Sequence, residues 1–425
     1  MQLAHDSQAV LLLTARFGAE DAKGAKPLGP REWGDFAEWL KQQGSRPAEL
    51  INGQSPSLLA EWSHPKIARE RLGKLLQRGN AMALALEKWE RAGLWVLTRA
   101  DEHYPGRLKK RLGKSAPPVF FGCGNRELLD RGGLAVVGSR NADEADLTFC
   151  RQIAAQATAE GYSIISGGAR GVDETAMLAA LEHEGTVIGV LADSLLRAVT
   201  SQRYRSALRS GDLVLVSPYH PDARFQVGNA MGRNKYIYCL ADAGLVVSCE
   251  KESGGTYAGA KETLKHAWVP VWTRLTKRSA DGIAALEAMG AVRLPESEFR
   301  IDSLFEQENT APEAIQADRP DEAPESGPEH AHVESEEPAS YLAAASKAAD
   351  GPAEALFKAF LEQLQPMIQA EPMKPDEIAS RLQINPAQAR DWLQKAEDAG
   401  QVDRVSKKPV AYAWAAQGRL SLGDR

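Results

Sequence analysis

The sequence predicts an α/β protein: a Rossmann-like, doubly wound parallel sheet, with a helical N-terminal domain and a C-terminal winged-helix domain. Three observations carry this expectation. From Gly133 onward, short apolar runs alternate with helix-length stretches, as strands joined by crossover helices do. Glycine-rich corners recur where those runs end. A proline-interrupted acidic segment then sets off a short C-terminal stretch with its own periodicity.

Residues 1–114 read as a helical, SAM-like domain. Apolar spacing recurs at Ala9–Ala15, Phe36–Leu40, Leu58–Trp62 and Ala81–Trp89, with Gly and Pro between. Between Lys66 and Lys114 thirteen basic residues face five acids, either as a solvated helix surface or as a positive flank that attracts phosphate. Residues 115–300 form the Rossmann-like domain. Strands are expected at Leu134–Val137, Tyr162–Ile165, Thr186–Leu191, Leu213–Val216, Ala243–Ser248 and Val269–Trp272. Helices are expected at Ala145–Glu160, Val172–Glu184, Ser201–Ser210, Met231–Leu240 and Thr256–His266. Residues 301–350 read as a disordered acidic linker, because a segment this charged and poor in large apolar residues cannot bury a core. Residues 351–416 read as a winged helix. Its helices are expected at Glu354–Gln369, Lys374–Leu382 and from Pro386 to Ala399, and two short strands flank Lys407-Lys408-Pro409. Acids and bases nearly balance in this module, which favours a protein contact or a weak DNA contact over sequence-specific reading.

Composition narrows the function. A 425-residue chain with 43% hydrophobic and 25% charged residues has material for several packed domains. No run approaches the roughly 18 apolar residues of a membrane span. The N-terminus lacks the positive start and small-residue cleavage site of a signal peptide, so a cytoplasmic protein with no membrane partner is expected. Cys123, Cys150, Cys239 and Cys249 are widely spaced and form no CxxC, which suits a reducing compartment and argues against a metal site. No cofactor is expected. The net charge of −6 is misleading about partners. Glu306–Glu337 holds eleven acids and one base, and without them the remainder carries +4.

The chemistry concentrates at Ser166–Asp173, SGGARGVD, where a strand, a glycine corner and a helix start follow one another. Ser166, Gly167, Gly168 and Gly171 let backbone N–H groups converge, the helix start adds unpaired donors, and Arg170 adds a charged fork suited to phosphate. A tight turn without a ligand fits the same residues. Asp173 is read as a helix cap or a partner for an arginine, with a catalytic carboxylate as the alternative. Three further corners follow the same logic. Gly138-Ser139-Arg140 closes the first strand without the GxGxxG of a dinucleotide site. Asn229–Lys235 carries Arg233, Asn234 and Lys235, and Ser253-Gly254-Gly255-Thr256 precedes the last helix. Arg140, Arg170, Arg233 and Lys235 are expected to line one positive groove able to track several phosphates. Tyr236, Tyr238 and Tyr257 are base-stacking candidates, although their spacing suits core packing for at least two.

These residues resemble the DprA (Smf) family of DNA-processing proteins. The likeness lies in Tyr104-Pro105, Ala116–Phe121, Ala135–Arg140, SGGARGVD (for SGLARGID) and Gly232–Lys235 (for an Arg-Asn-Arg segment), across about Asp101–Trp272. The resemblance implies a non-catalytic protein that binds and protects incoming single-stranded DNA in natural transformation. It implies help in loading RecA recombinase over single-strand-binding protein, and a homodimer formed through the Rossmann-like domain. It assigns the phosphate contacts to Arg140, Arg170, Arg233 and Lys235, with Gly167, Gly168 and Gly171 shaping the pocket. The chain departs from the family pattern in four places. Met177 replaces a His, Ala230-Met231 replaces Phe-Pro, the last corner reads SGGTYAGA, and no Pro-Gly follows Trp272.

Three other readings share the superfamily. A nucleoside-monophosphate phosphoribohydrolase needs a carboxylate for the developing ribosyl cation, but Gly259 stands at that glutamate's place. A nucleotide-sensing module would use one corner only. A defence protein would share the DNA chemistry.

Overall fold

The strand and helix runs assemble into one mixed, mostly parallel sheet covered on both faces. The computed structural model describes residues 1–18, 24–52, 55–252, 254–274, 280–295 and 297–306. Toward the C-terminus it describes 360–361, 363–369, 372–382, 389, 392–393, 396–397, 401–407 and 410–414. By contacts the chain divides into two units, Met1–Ala331 and His332–Arg425.

In the first unit the strands are β1 (Trp95–Thr98), β2 (Val119–Gly124), β3 (Leu134–Val137), β4 (Ile164–Ser166), β5 (Val187–Val190), β6 (Leu213–Ser217), β7 (Ala243–Val246), β8 (Val271–Thr273) and β9 (Val292–Arg293). Among the described residues they stand in the order β1-β2-β6-β5-β4-β3-β7-β8-β9. The pairs from β6 to β9 are parallel, whereas β1–β2 and β2–β6 are antiparallel. The chain runs from β3 through β4 and β5 to β6, then returns to place β7 on the other side of β3. That reversal opens a crevice beyond the carboxyl ends of β3 and β7, where sheets of this kind hold ligands.

The helices are α1 (His5–Thr14), α2 (Pro30–Gln42), α3 (Ser55–Ala60), α4 (Arg69–Leu76), α5 (Gly79–Arg91), α6 (Gly106–Leu112), α7 (Glu144–Ala159), α8 (Val172–Glu182), α9 (Leu195–Thr200), α10 (Gln202–Ser210), α11 (Val227–Leu240), α12 (Gly254–His266) and α13 (Ala280–Ala288). Strand side chains alternate between two cores, as a pleated sheet buried on both faces requires. Leu134 and Val136 pack with Ile153 of α7, Ala176 of α8 and the N-terminal helices. Ala135 and Val137 pack with Leu108 of α6, Ile237 of α11 and Leu264 of α12.

Two differences from the sequence reading matter. Residues up to 114 were expected to be helical, but Trp95–Thr98 is an edge strand paired with Val119–Gly124. The 114/115 border is therefore not a boundary between separate bodies. The N-terminal helices are fastened to this strand: the Ser7 hydroxyl donates to Asp101, whose other oxygen accepts from the Thr98 N–H. Helix α11 also begins at Val227, four residues before the expected Met231, because Gly228 and Asn229 mask a helix start in propensity terms.

In the second unit the helix Pro375–Arg381 opens with proline at its first position. Antiparallel β10 (Val402–Lys407) and β11 (Val410–Trp414) pair with each other, and Met373 and Tyr412 exchange two 3.0 Å backbone bonds. Phe360, Leu364, Ile378, Leu393 and Val402 share one small core. The acidic linker beyond Glu306, the turn at Gln383–Asn385 with Pro386, and Lys408-Pro409 lie outside the described residues.

Trp89 of α5 is 1% exposed and meets Phe121 of β2 edge-on at 4.8 Å. Trp89→Ala should lower the free energy of unfolding by about 3–5 kcal/mol, read as a fall in the urea midpoint at unchanged slope.

Candidate functional site

The site is built where β3, β4 and β7 end and α8, α11 and α12 begin. Each corner contributes differently once its hydrogen bonds are followed.

After β3, the Gly138 N–H points at Asp173 Oδ1 (3.4 Å) and the Asn141 N–H donates to the Ser139 hydroxyl. Arg140 leaves this turn exposed. Its guanidinium lies over the Phe225 ring, 4.7 Å from the centroid. After β4, the Ser166 hydroxyl donates 2.6 Å to the Val136 carbonyl, so it ties two strands together and faces no ligand. Gly168 follows, with a φ of +66°. Arg170 is exposed and donates to Asn141 Oδ1 at 3.0 Å. Gly171 has a φ of +91°, and a Cβ there would sit 2.4 Å from the Ser139 carbonyl oxygen. Only glycine lets these two corners touch.

Arg233 differs from the expectation. It enters from α11, is 3% exposed, and donates to the carbonyls of Gly167 and Val190. Asp173, also buried, stands 4.0 Å from its guanidinium. Burial pushes the Asp173 carboxyl upward, and Arg233 opposes that shift. Gly167 makes room for the pair: a Cβ there would lie 2.2 Å from Arg233 Nη1 and 2.4 Å from Asp173 Oδ2. Among the described residues, Arg233 Nε has no hydrogen-bond partner in this buried setting. The arginine is thus the floor of the crevice, since carbonyls and a carboxylate already surround it. Of the roles expected for Asp173, the structure gives it that of arginine partner.

The remaining candidates divide. Asn234 turns inward and donates 2.7 Å to the Gly255 carbonyl. Lys235 lies over the Tyr236 ring (5.4 Å), and burial pushes the Glu262 carboxyl on α12 upward, with Lys235 partly opposing that shift. Two residues along a helix point about 200° apart, so Lys235 does not join Arg233. Gly254 and Gly255 open α12, and the Thr256 hydroxyl donates 3.0 Å to the Gly138 carbonyl, fastening the fourth corner to the first. Ser253 lies outside the described residues. Tyr236, Tyr238 and Tyr257 are all buried core residues. Met177, at the position of the family His, is buried beneath Gly168 and Gly189.

Sequence reasoning missed Phe225, Val227 and Met231, which are 47%, 66% and 42% exposed. Phe225 stands under Arg140 in the segment joining β6 to α11, and Val227 and Met231 lie on the first turns of α11 itself. The available signal was Arg224-Phe225, a basic–aromatic pair in an otherwise polar turn. That segment is braced from below: Lys88 of α5 pairs with Asp222, and Trp89 meets the His220 ring at 5.9 Å. Among the described residues the crevice therefore presents two exposed cations, Arg140 and Arg170, an exposed ring under the first, and the start of α12. The first N–H groups of α8 are taken by the Ser139 and Ala169 carbonyls. Likewise α7 is closed to anions, because Asp143 caps it by accepting from Asp146.

Comparison with known proteins agrees with this architecture. The family model described as DNA recombination-mediator protein A matches residues 95–303, beginning at the first residue of β1. DNA processing protein DprA of Bacillus subtilis is 24% identical over 220 residues, covering 47% of this chain and 73% of that one. DNA processing protein DprA of Streptococcus pneumoniae is 30% identical over 156 residues, covering 36% of this chain and about half (54%) of the relative. The X-ray structure of the S. pneumoniae protein superposes with a TM-score of 0.53 at 19% identity, covering 71% of this chain and 100% of that one, a likeness of fold.

Replacing Arg233 by Met leaves Asp173 buried without its cation. The expected loss is about 3–5 kcal/mol of stability by chemical denaturation. Adding Asp173→Asn to Arg233→Met should recover part of that loss, because no buried charge then remains.

Proposed function

The chain belongs to the DNA recombination-mediator protein A (DprA/Smf) family, and on that premise we propose that it binds single-stranded DNA across the crevice at the carboxyl edge of the sheet. The observation that carries the reading is the exposed Arg140 guanidinium laid over the exposed Phe225 ring. A strand without a complement offers phosphates and unpaired base faces together. An arginine beside an open aromatic surface answers both. Arg170 and the start of α12 supply further phosphate donors, and Val227 and Met231 extend the apolar side. A duplex hides its base faces, so this pairing favours the single strand.

The finer parts of the proposal rest on family membership and composition. They are RecA loading over single-strand-binding protein, a role in natural transformation and recombination, and a homodimer. The C-terminal unit is read as a winged helix, supported by the helix Pro375–Arg381 and the β10–β11 hairpin. A cytoplasmic site of action is supported by four buried, unpaired thiols; among the described residues no helix is long and apolar enough to cross a membrane. The proposed role is non-enzymatic. Asp173 is enclosed by Arg233 beneath the crevice, and Gly259 packs against Asn234 where a hydrolase of this superfamily would place its glutamate.

Fluorescence anisotropy with labelled oligothymidine tests the reading. Arg140→Ala should weaken binding and make the slope of log K against log salt shallower by about 0.7 for each phosphate that is no longer neutralised. Phe225→Ala should cost about 1–3 kcal/mol with the slope unchanged, as expected when stacking alone is removed. No binding by the wild type at low salt, or binding by both variants as tight as that of the wild type, would refute the site.

A further inference from the structure

A second cavity lies at the opposite end of the sheet. Its volume is about 640 Å³, and its lining is Arg107, Lys110, Arg111, His266, Ala267 and Trp268. Gly133 stands just before β3 at this end and Gly138 just after it at the other, so about 17 Å of extended chain separates the cavity from the crevice at ~3.3 Å per residue. It is a different place.

Its charges are not all available. Arg111 donates to the carbonyls of Cys239 (2.9 Å) and Ala241 (2.6 Å), which neutralises the end of α11. Arg107 pairs through Nη1 with Asp242, whose other oxygen accepts from the Gly133 N–H. Lys110 is exposed at the mouth. One carboxylate, Asp242, thus stands against three cations among the described residues, and the cavity keeps a positive excess.

The remaining wall is aromatic. The His266 and Trp268 rings stack at 5.1 Å and 12°. Ala267 between them holds a φ of +51°, a left-handed conformation that strains a residue with a Cβ. The Ala267 and Trp268 N–H groups bond back to Leu264 and Thr263, closing α12. Glycine would make this cap without strain. Here the strained residue stacks two rings on one another in the wall of a cationic cavity.

We propose that this cavity is a second ligand site, which takes a nucleoside 5′-phosphate with its base against the Trp268–His266 shelf and its phosphate at Lys110 and Arg107. A free nucleotide and one unit of a DNA strand offer the same chemistry. An anion alone would not use the rings, and an aromatic alone would not use the cations. The site is independent of the crevice proposed above and stands or falls separately.

Isothermal titration calorimetry of the full chain with 5′-phosphorylated tetrathymidylate, thymidine monophosphate and a tetraglutamate peptide tests it. The tetranucleotide should fill two classes of site. Lys110→Glu or Trp268→Ala should weaken one class at least tenfold, and Arg140→Ala/Phe225→Ala should abolish only the other. Binding of the mononucleotide to the Lys110-sensitive class identifies a free nucleotide as a competent ligand. Binding of the tetranucleotide alone identifies a strand. The proposal is overturned if neither Lys110→Glu nor Trp268→Ala changes any isotherm, or if tetraglutamate binds the Lys110-sensitive class as tightly as the tetranucleotide. A Lys110-sensitive class without any Arg140-sensitive one would instead refute the crevice and leave this site standing.

Discussion

Arg233 and Asp173 meet beneath the carboxyl edge of the sheet, and the corners after β3, β4 and β5 are arranged around that contact. The guanidinium reaches from α11 to carbonyls at the ends of β4 and β5, while the carboxylate on α8 points to the N–H that follows β3. Removing two charges from water costs several kcal/mol each, and their attraction offsets this only with good geometry and further hydrogen bonds. Gly167 is the residue that grants the geometry, since any side chain there would occupy the place of the guanidinium. The pair thus fixes the relative positions of three strand ends, the start of α8 and the middle of α11. Apolar packing alone, which has no direction, would leave them less closely specified.

A buried cation also changes what the surface presents. Of the four basic residues expected to line a groove, Arg233 is enclosed and Lys235 lies over the Tyr236 ring. Arg140 and Arg170 remain, and each is steadied by a neighbour, Phe225 and Asn141 respectively. Fewer charges make for weaker general attraction to polyanions, and in the proposed reading the exposed Phe225 ring shifts the balance toward unpaired bases. The second cavity repeats this combination of cation and ring at the other end of the same strands.

The parts legible in sequence were those where local pattern and tertiary role coincide. Leu134–Val137 is observed as expected, and SGGARGVD announces its corner because three glycines between a strand and a helix have few other uses. β1 was hidden. Its four residues follow a convincing helix, and its partner Val119–Gly124 lies more than twenty residues on, so only long-range pairing reveals it. The inward turn of Arg233 was equally hidden, because Arg233-Asn234-Lys235 looks uniformly polar until the helix phase and its neighbours are known. Phe225 escaped notice as one ring in an irregular segment. Its role depends on Arg140, eighty-five positions earlier, which no local pattern encodes.

The brace of Lys88 and Trp89 beneath His220 and Asp222 bears on how quickly the crevice can be filled. A binding segment that orders only on contact must search its conformations in every encounter, and that entropy is subtracted from the affinity. Here the search is completed when the chain folds, because an ion pair and a buried indole tether the turn that carries Phe225 to a helix formed over 130 residues earlier. Capture then becomes a matter of diffusion and orientation rather than of rearrangement. A strand sliding over the site would meet the same rigid ring at every nucleotide.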